Sequence, residues 1–117
     1  MLHDELVKDE AVAARVAAAQ EANPGKRVRA IDSAAGVLVC VQPTRQQLLY
    51  YETMIWGDDV TVKAGAHEEL LKMCVFDPDK AAMRTILEDW PGVSRDGDVL
   101  RELRILYGGA KDSATKK

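Results

Sequence analysis

Val37-Leu38-Val39-Cys40-Val41 is an uninterrupted apolar run, three of its five residues Val, bounded by Gly36 on one side and Gln42-Pro43 on the other. A run this short and this rich in β-branched residues reads as a strand. Just upstream, Arg27-Val28-Arg29-Ala30-Ile31 alternates polar and small apolar residues, and Asp32-Ser33-Ala34-Ala35-Gly36 between the two runs is turn material with Gly at its end. Together they predict a β-hairpin. An isolated hairpin is marginal in water. The rest of the chain must therefore supply helices to cover it, or its edge must pair with another chain.

Helical signals surround the hairpin. Asp4 to Ala22 is Ala-rich, with Asp4, Glu5, Asp9 and Glu10 near its N-terminal end, where the helix dipole favours negative charge. Its expected inner face, Leu2, Leu6, Ala13, Val16 and Ala17, is thin, and Asn23-Pro24-Gly25 ends it. After Pro43, Thr44 and Gln47 form a capping box for a helix burying Leu48, Tyr51 and Ile55 and ending at Gly57. Asp58 to Gly65 reads as a connection with a short extended piece at 60–63. Ala66, Leu70, Met73 and Cys74 then mark a further helix. Asp77-Pro78 reads as the N-cap and first position of the next one, with Ala82, Met83, Ile86, Leu87 and Trp90 as its buried stripe. The last helix starts near Ser94 or Asp96, turns Val99, Leu100, Leu103, Leu106 and Tyr107 inward, and stops at Gly108-Gly109.

The expected fold is α+β and predominantly α-helical: an Ala-rich N-terminal helix, one β-hairpin, then about four short helices. The expected organisation is an N-terminal helix over 1–23, a single globular domain over 26–108 and a polar, disordered tail over 109–117. A chain of 117 residues has little room for a second core.

Charge and motif spacing narrow the function classes. Nineteen acidic against sixteen basic side chains leave a net charge of −3, the opposite of the concentrated basic footprint of a nucleic-acid binder. No apolar run approaches the length of a membrane span, and the acidic N-terminus is unlike a signal peptide. Cys40 and Cys74 are expected to be buried free thiols, which suits a cytosolic compartment. His67-Glu68-Glu69 lacks the second His of a zinc-protease helix, since position 71 is Leu. His67 then reads as a polar residue in a first helical turn. No nucleophile has a recognisable base and no Gly-rich loop follows a strand. The reading is therefore of a non-enzyme with no catalytic residues, no metal and no cofactor. Lys26, Arg27 and Arg29 form a basic strip on the first strand: plainly a solvated edge that discourages pairing, or else a docking strip for an acidic helix. Tyr50 lies one step off the Tyr51 face and is the expected exposed aromatic. Trp56 is read mostly as core but is retained as a contact candidate. Tyr50, Trp56, Lys26, Arg27 and Arg29 are the candidate partner-binding residues.

The stretch from Pro43 to about Leu106 resembles the tail assembly chaperones of long-tailed bacteriophages. The resemblance rests on Pro43-Thr44-Arg45 opening an aromatic-bearing helix, on Glu69-Leu70-Leu71-Lys72-Met73-Cys74-Val75-Phe76-Asp77-Pro78 as a leucine-rich helix running into a Cys-Val and Pro break, and on Leu87-Glu88-Asp89-Trp90-Pro91-Gly92 before a short final helix. It covers a little over half the chain; the Ala-rich N-terminal segment and the polar tail have no counterpart. It implies a non-enzymatic protein of the host cell cytoplasm that binds the tape-measure protein, and other tail proteins with it, and keeps the partner soluble during tail assembly. A homo-oligomer is expected, and the acidic balance and short apolar runs argue against nucleic-acid or membrane partners. The alternative, from another class, is a structural virion part such as a head–tail connector or tail-completion protein, forming a closed ring that stays in the particle.

Overall fold

A computed structural model describes residues 1–111 of the chain; residues 112–117, most of the expected disordered tail, lie outside the described residues. The helices are α1 (His3–Leu6), α2 (Glu10–Ala22), α3 (Arg45–Trp56), α4 (Val60–Cys74), α5 (Lys80–Asp89) and α6 (Gly97–Leu106), with a 3-10 turn at Val93–Arg95. The strands are β1 (Val28–Ser33), β2 (Gly36–Val41) and β3 (Val75–Asp77), in one antiparallel sheet of order β1-β2-β3. The fold is a small, mostly helical α+β fold, as the sequence predicts.

β1 and β2 pair in the hairpin register Val28↔Val41 to Ser33↔Gly36, and Gly36 takes a φ of 106°, a conformation that glycine adopts without steric cost. β2 is the middle strand, buried on both sides, which is why its sequence is continuously apolar rather than alternating. On one side Ala30, Val39 and Val41 pack under Leu6, Val12, Val16 and Ala19 of α1 and α2. On the other, Ile31, Leu38 and Cys40 meet the larger core built from α3 to α6, including Leu70, Leu71, Val99, Leu103 and Leu106. The hairpin is thus the middle of three layers. Its outer edge is partly closed by the chain itself, because the Ala30 N–H on β1 donates to His3 Nδ1 at 2.9 Å.

Several boundaries differ from the sequence reading. The N-terminal helix is broken: Asp9 accepts from Ala11 N and Val12 N and starts α2 afresh. The inner face of α2 is Val12, Val16 and Ala19, not Ala13, Val16 and Ala17. A stretch of near-uniform Ala offers no strong face of its own, so the sheet selects the larger Val side chains. α4 begins at Val60, inside the expected connection, because Asp59 Oδ1 accepts from Thr61 N and Val62 N and outweighs the weak helix propensity of the β-branched first turn. Asp77-Pro78 does not start a helix. Asp77 ends β3, the Asp77–Pro78 peptide is cis, and Asp79 caps α5 by accepting from Ala82 N. The buried stripe of α5 narrows to Met83 and Leu87 with Ile86 at its edge, leaving Ala82 and Trp90 exposed. In contrast, the Thr44–Gln47 capping box forms with both bonds at 3.0 Å, and Asp96 caps α6.

Candidate functional site

The basic strip is divided by strand geometry. Arg29 on β1 and Arg27, just before the strand and two residues away, both reach the face of the sheet covered by α6. Two strand residues span nearly the same distance as one helical turn, so the two arginines meet α6 one turn apart. Arg29 Nε donates to Glu102 Oε1 at 2.6 Å, and Arg27 Nε donates to the Leu106 carbonyl at 2.9 Å, at the helix end where the dipole favours a cation. Arg29 is only 6% exposed, so it belongs to the interior and not to a solvent-facing strip. Arg27 keeps an exposed surface while bonded, and Lys26 is exposed in the turn before β1. The clue to the pair lay in α6, where Glu102 sits at an inward position among Val99, Leu103 and Leu106; an acid there needs a cation opposite. Arg101 adds a second contact, Nη2 to Glu102 Oε2 at 3.1 Å.

The aromatic candidates lie on α3. Tyr51 is buried, and its hydroxyl lies 3.0 Å from His67 Nδ1 on α4; His67 is in the second turn of that helix, not the first. Burial pushes the Tyr51 phenol up from its ordinary value. Tyr50 is 57% exposed and Trp56 is 74% exposed, so the core role read for Trp56 is corrected. At 100° per residue Trp56 falls beside Leu49 and Arg45, away from Leu48, Tyr51 and Ile55. Leu49 is 48% exposed, and Val60 and Val62 at the start of α4 add further apolar surface. The outer side of α3 therefore carries large exposed apolar side chains among polar ones.

A groove of about 570 Å³ opens between α4 and α5. Its floor is formed by Met73, Val75, Met83 and Leu87; thioether side chains adapt to varied apolar surfaces. Glu68, Glu69 and Lys72 line the α4 wall, with Lys72 bound to Glu69 at 3.0 Å. Lys80, Arg84 and Glu88 line the α5 wall. None of the motifs weighed in the sequence pointed to this groove, because its two walls come from separate helices joined through β3 and the turn after it.

Both cysteines are buried free thiols, Cys40 on the middle strand and Cys74 at the end of α4. Burial pushes the Cys74 thiol up to about 12 and raises Cys40 as well, which keeps both in the unreactive thiol form. Among the described residues no helix is long and apolar enough to cross a membrane. Comparison with protein-family models, curated proteins and solved structures returns no match.

Proposed function

We propose that this chain is a non-enzymatic assembly chaperone of the phage-tail type, which holds a helical segment of a tape-measure protein and keeps it soluble during tail assembly in the host cytoplasm. The observation that supports this reading best is the groove between α4 and α5, where an apolar Met-rich floor runs between charged walls. Such a groove suits the apolar stripe of an amphipathic helix, with the walls meeting the polar flanks of that helix. Binding of this kind is weak at each site. Many copies along one long partner would add avidity while each contact stays reversible, which suits a protein that must later be displaced by tube subunits.

The test is co-expression with the tape-measure protein of the same genome, followed by affinity capture and stoichiometry. Several copies of this chain per partner chain, a partner kept in solution, and loss of capture on Lys80→Glu/Arg84→Glu are the expected results. Absence of capture, with the polypeptide present as a discrete ring in purified particles, would move the function to a connector or tail-completion protein.

A further inference from the structure

The outer face of α3 has charge at its two ends and apolar surface between. Arg45, Leu49 and Trp56 fall within about 40° of one another around the helix. Thr53, a small residue, lies next to the stripe, and all four are exposed. Asp58 and Asp59 follow the C-terminal end, both exposed. Asp59 is engaged in capping α4, whereas neither the Arg45 nor the Asp58 side chain has an ion-pair or hydrogen-bond partner among the described residues. Glu52 flanks the stripe on its other side; it is half-buried, and its charge reaches Tyr51 and Tyr107 of its own chain.

This order, cation then Leu49, Thr53 and Trp56 then anion, is its own complement when reversed. Two copies of α3 laid antiparallel about a two-fold axis near Thr53 set Leu49 of one against Trp56 of the other, twice. The same placement brings each Arg45 toward the Asp58 end of its neighbour, and the two helix dipoles run opposed. A parallel arrangement would instead stack Arg45 on Arg45 and Asp58 on Asp58. Contiguous exposed apolar surface on a small chain marks an interaction face. We infer that the outer face of α3 binds a second copy of this chain in an isologous, antiparallel α3–α3 contact, with Leu49 and Trp56 at its centre and Arg45–Asp58 pairs at its ends. The inference does not depend on the function proposed above, since Arg45, Leu49, Trp56 and Asp58 are not among the residues that line the groove.

The experiment is sedimentation equilibrium of the full chain across a concentration series. The wild-type chain is expected to be a dimer at micromolar concentration. Trp56→Glu, and independently Leu49→Glu, should be monomeric with an unchanged helical circular-dichroism signal. Arg45→Glu and Asp58→Arg place like charges at both ends, and each alone should weaken the dimer by about tenfold or more. Mixing these two variants makes every end pair opposite in sign again, so the mixture should recover the dimer. A wild-type chain that stays monomeric, a cyclic oligomer larger than a dimer, glutamate variants that dimerise unchanged, or a mixture no tighter than its components would each overturn the inference. Positions 45 and 58 are exposed and unpaired, so the mixing arm does not depend on the folding of a core variant.

Discussion

Arg29 on β1 and Glu102 on α6, 73 residues apart in the chain, form a buried ion pair with Nε donating to Oε1 at 2.6 Å. Both side chains are less than a tenth exposed. The pair ties the hairpin to the last helix, and Arg27 repeats the tie one turn further along by capping Leu106. Removing one partner leaves a charge in the interior, which costs more than the intact pair contributes. Arg29→Met should lower the free energy of unfolding by about 3–5 kcal/mol. Arg29→Met/Glu102→Leu should recover most of that loss, because it removes both charges together. Urea unfolding of the single and double variants checks both, and a cost under about 1 kcal/mol for Arg29→Met would mean that the pair behaves as an exposed one.

Arg15 joins α2 to the far end of the sheet. Its Nε donates to Asp77 Oδ2 at 2.8 Å and its Nη2 to the Val37 carbonyl at 2.8 Å, so one guanidinium holds both β2 and β3. The site is partly exposed, and Arg15→Ala should cost about 1 kcal/mol. Arg15→Lys should cost nearly as much, since an ammonium lacks the planar fork that reaches both strands. Amide hydrogen exchange should show α2 opening more readily in both variants, with α6 unchanged.

Asp59 is the reason α4 can begin with Val60-Thr61-Val62. Asp59→Ala should destabilise the protein by about 1 kcal/mol, and Asp59→Asn should restore most of it. Equilibrium unfolding provides the cost. Fraying confined to the first turn of α4, read by amide exchange, would locate it.

The thiols predict an alkaline limit to stability. A Cys74 held near 12 in the folded protein, against an ordinary value of 9.0, keeps its proton in the folded state after the unfolded chain has lost it. The folded state therefore binds more protons between these values, and its stability declines as pH rises from about 9 toward 12. Cys40, Tyr51 and Tyr107, all raised chiefly by burial, act in the same direction. Unfolding midpoints in urea should fall steadily above pH 9. At about pH 8 a thiol reagent should label neither cysteine in the native protein and both on unfolding; rapid native labelling would contradict the burial.

The segments legible in the sequence are those whose cause is local. The Thr44–Gln47 box starts α3 because both partners lie within one turn. The hairpin follows from five consecutive apolar residues beside a glycine turn. β3 was not legible. Val75-Phe76-Asp77 has no period of its own and is a strand because Val39 and Cys40 of β2 offer a free edge to Asp77 and Val75. The candidate site divided in the same way. Tyr50 could be placed outside from helical spacing, whereas Trp56 followed the assumption that a large aromatic is core.

By itself, then, the sequence determined the elements with strong local signals: the capping box of α3, the alternation and turn of the hairpin, the inward stripe of α6. These depend on residues a few positions apart, where spacing is set by covalent geometry. The tertiary structure decided what faces what. It chose Val12 and Val16 as the inner side of an Ala-rich helix, took Arg29 out of a basic strip to meet Glu102, opened a groove between α4 and α5, and left Leu49 and Trp56 uncovered. Each of these outcomes is settled by burial and by partners distant in the chain, and local spacing does not encode either.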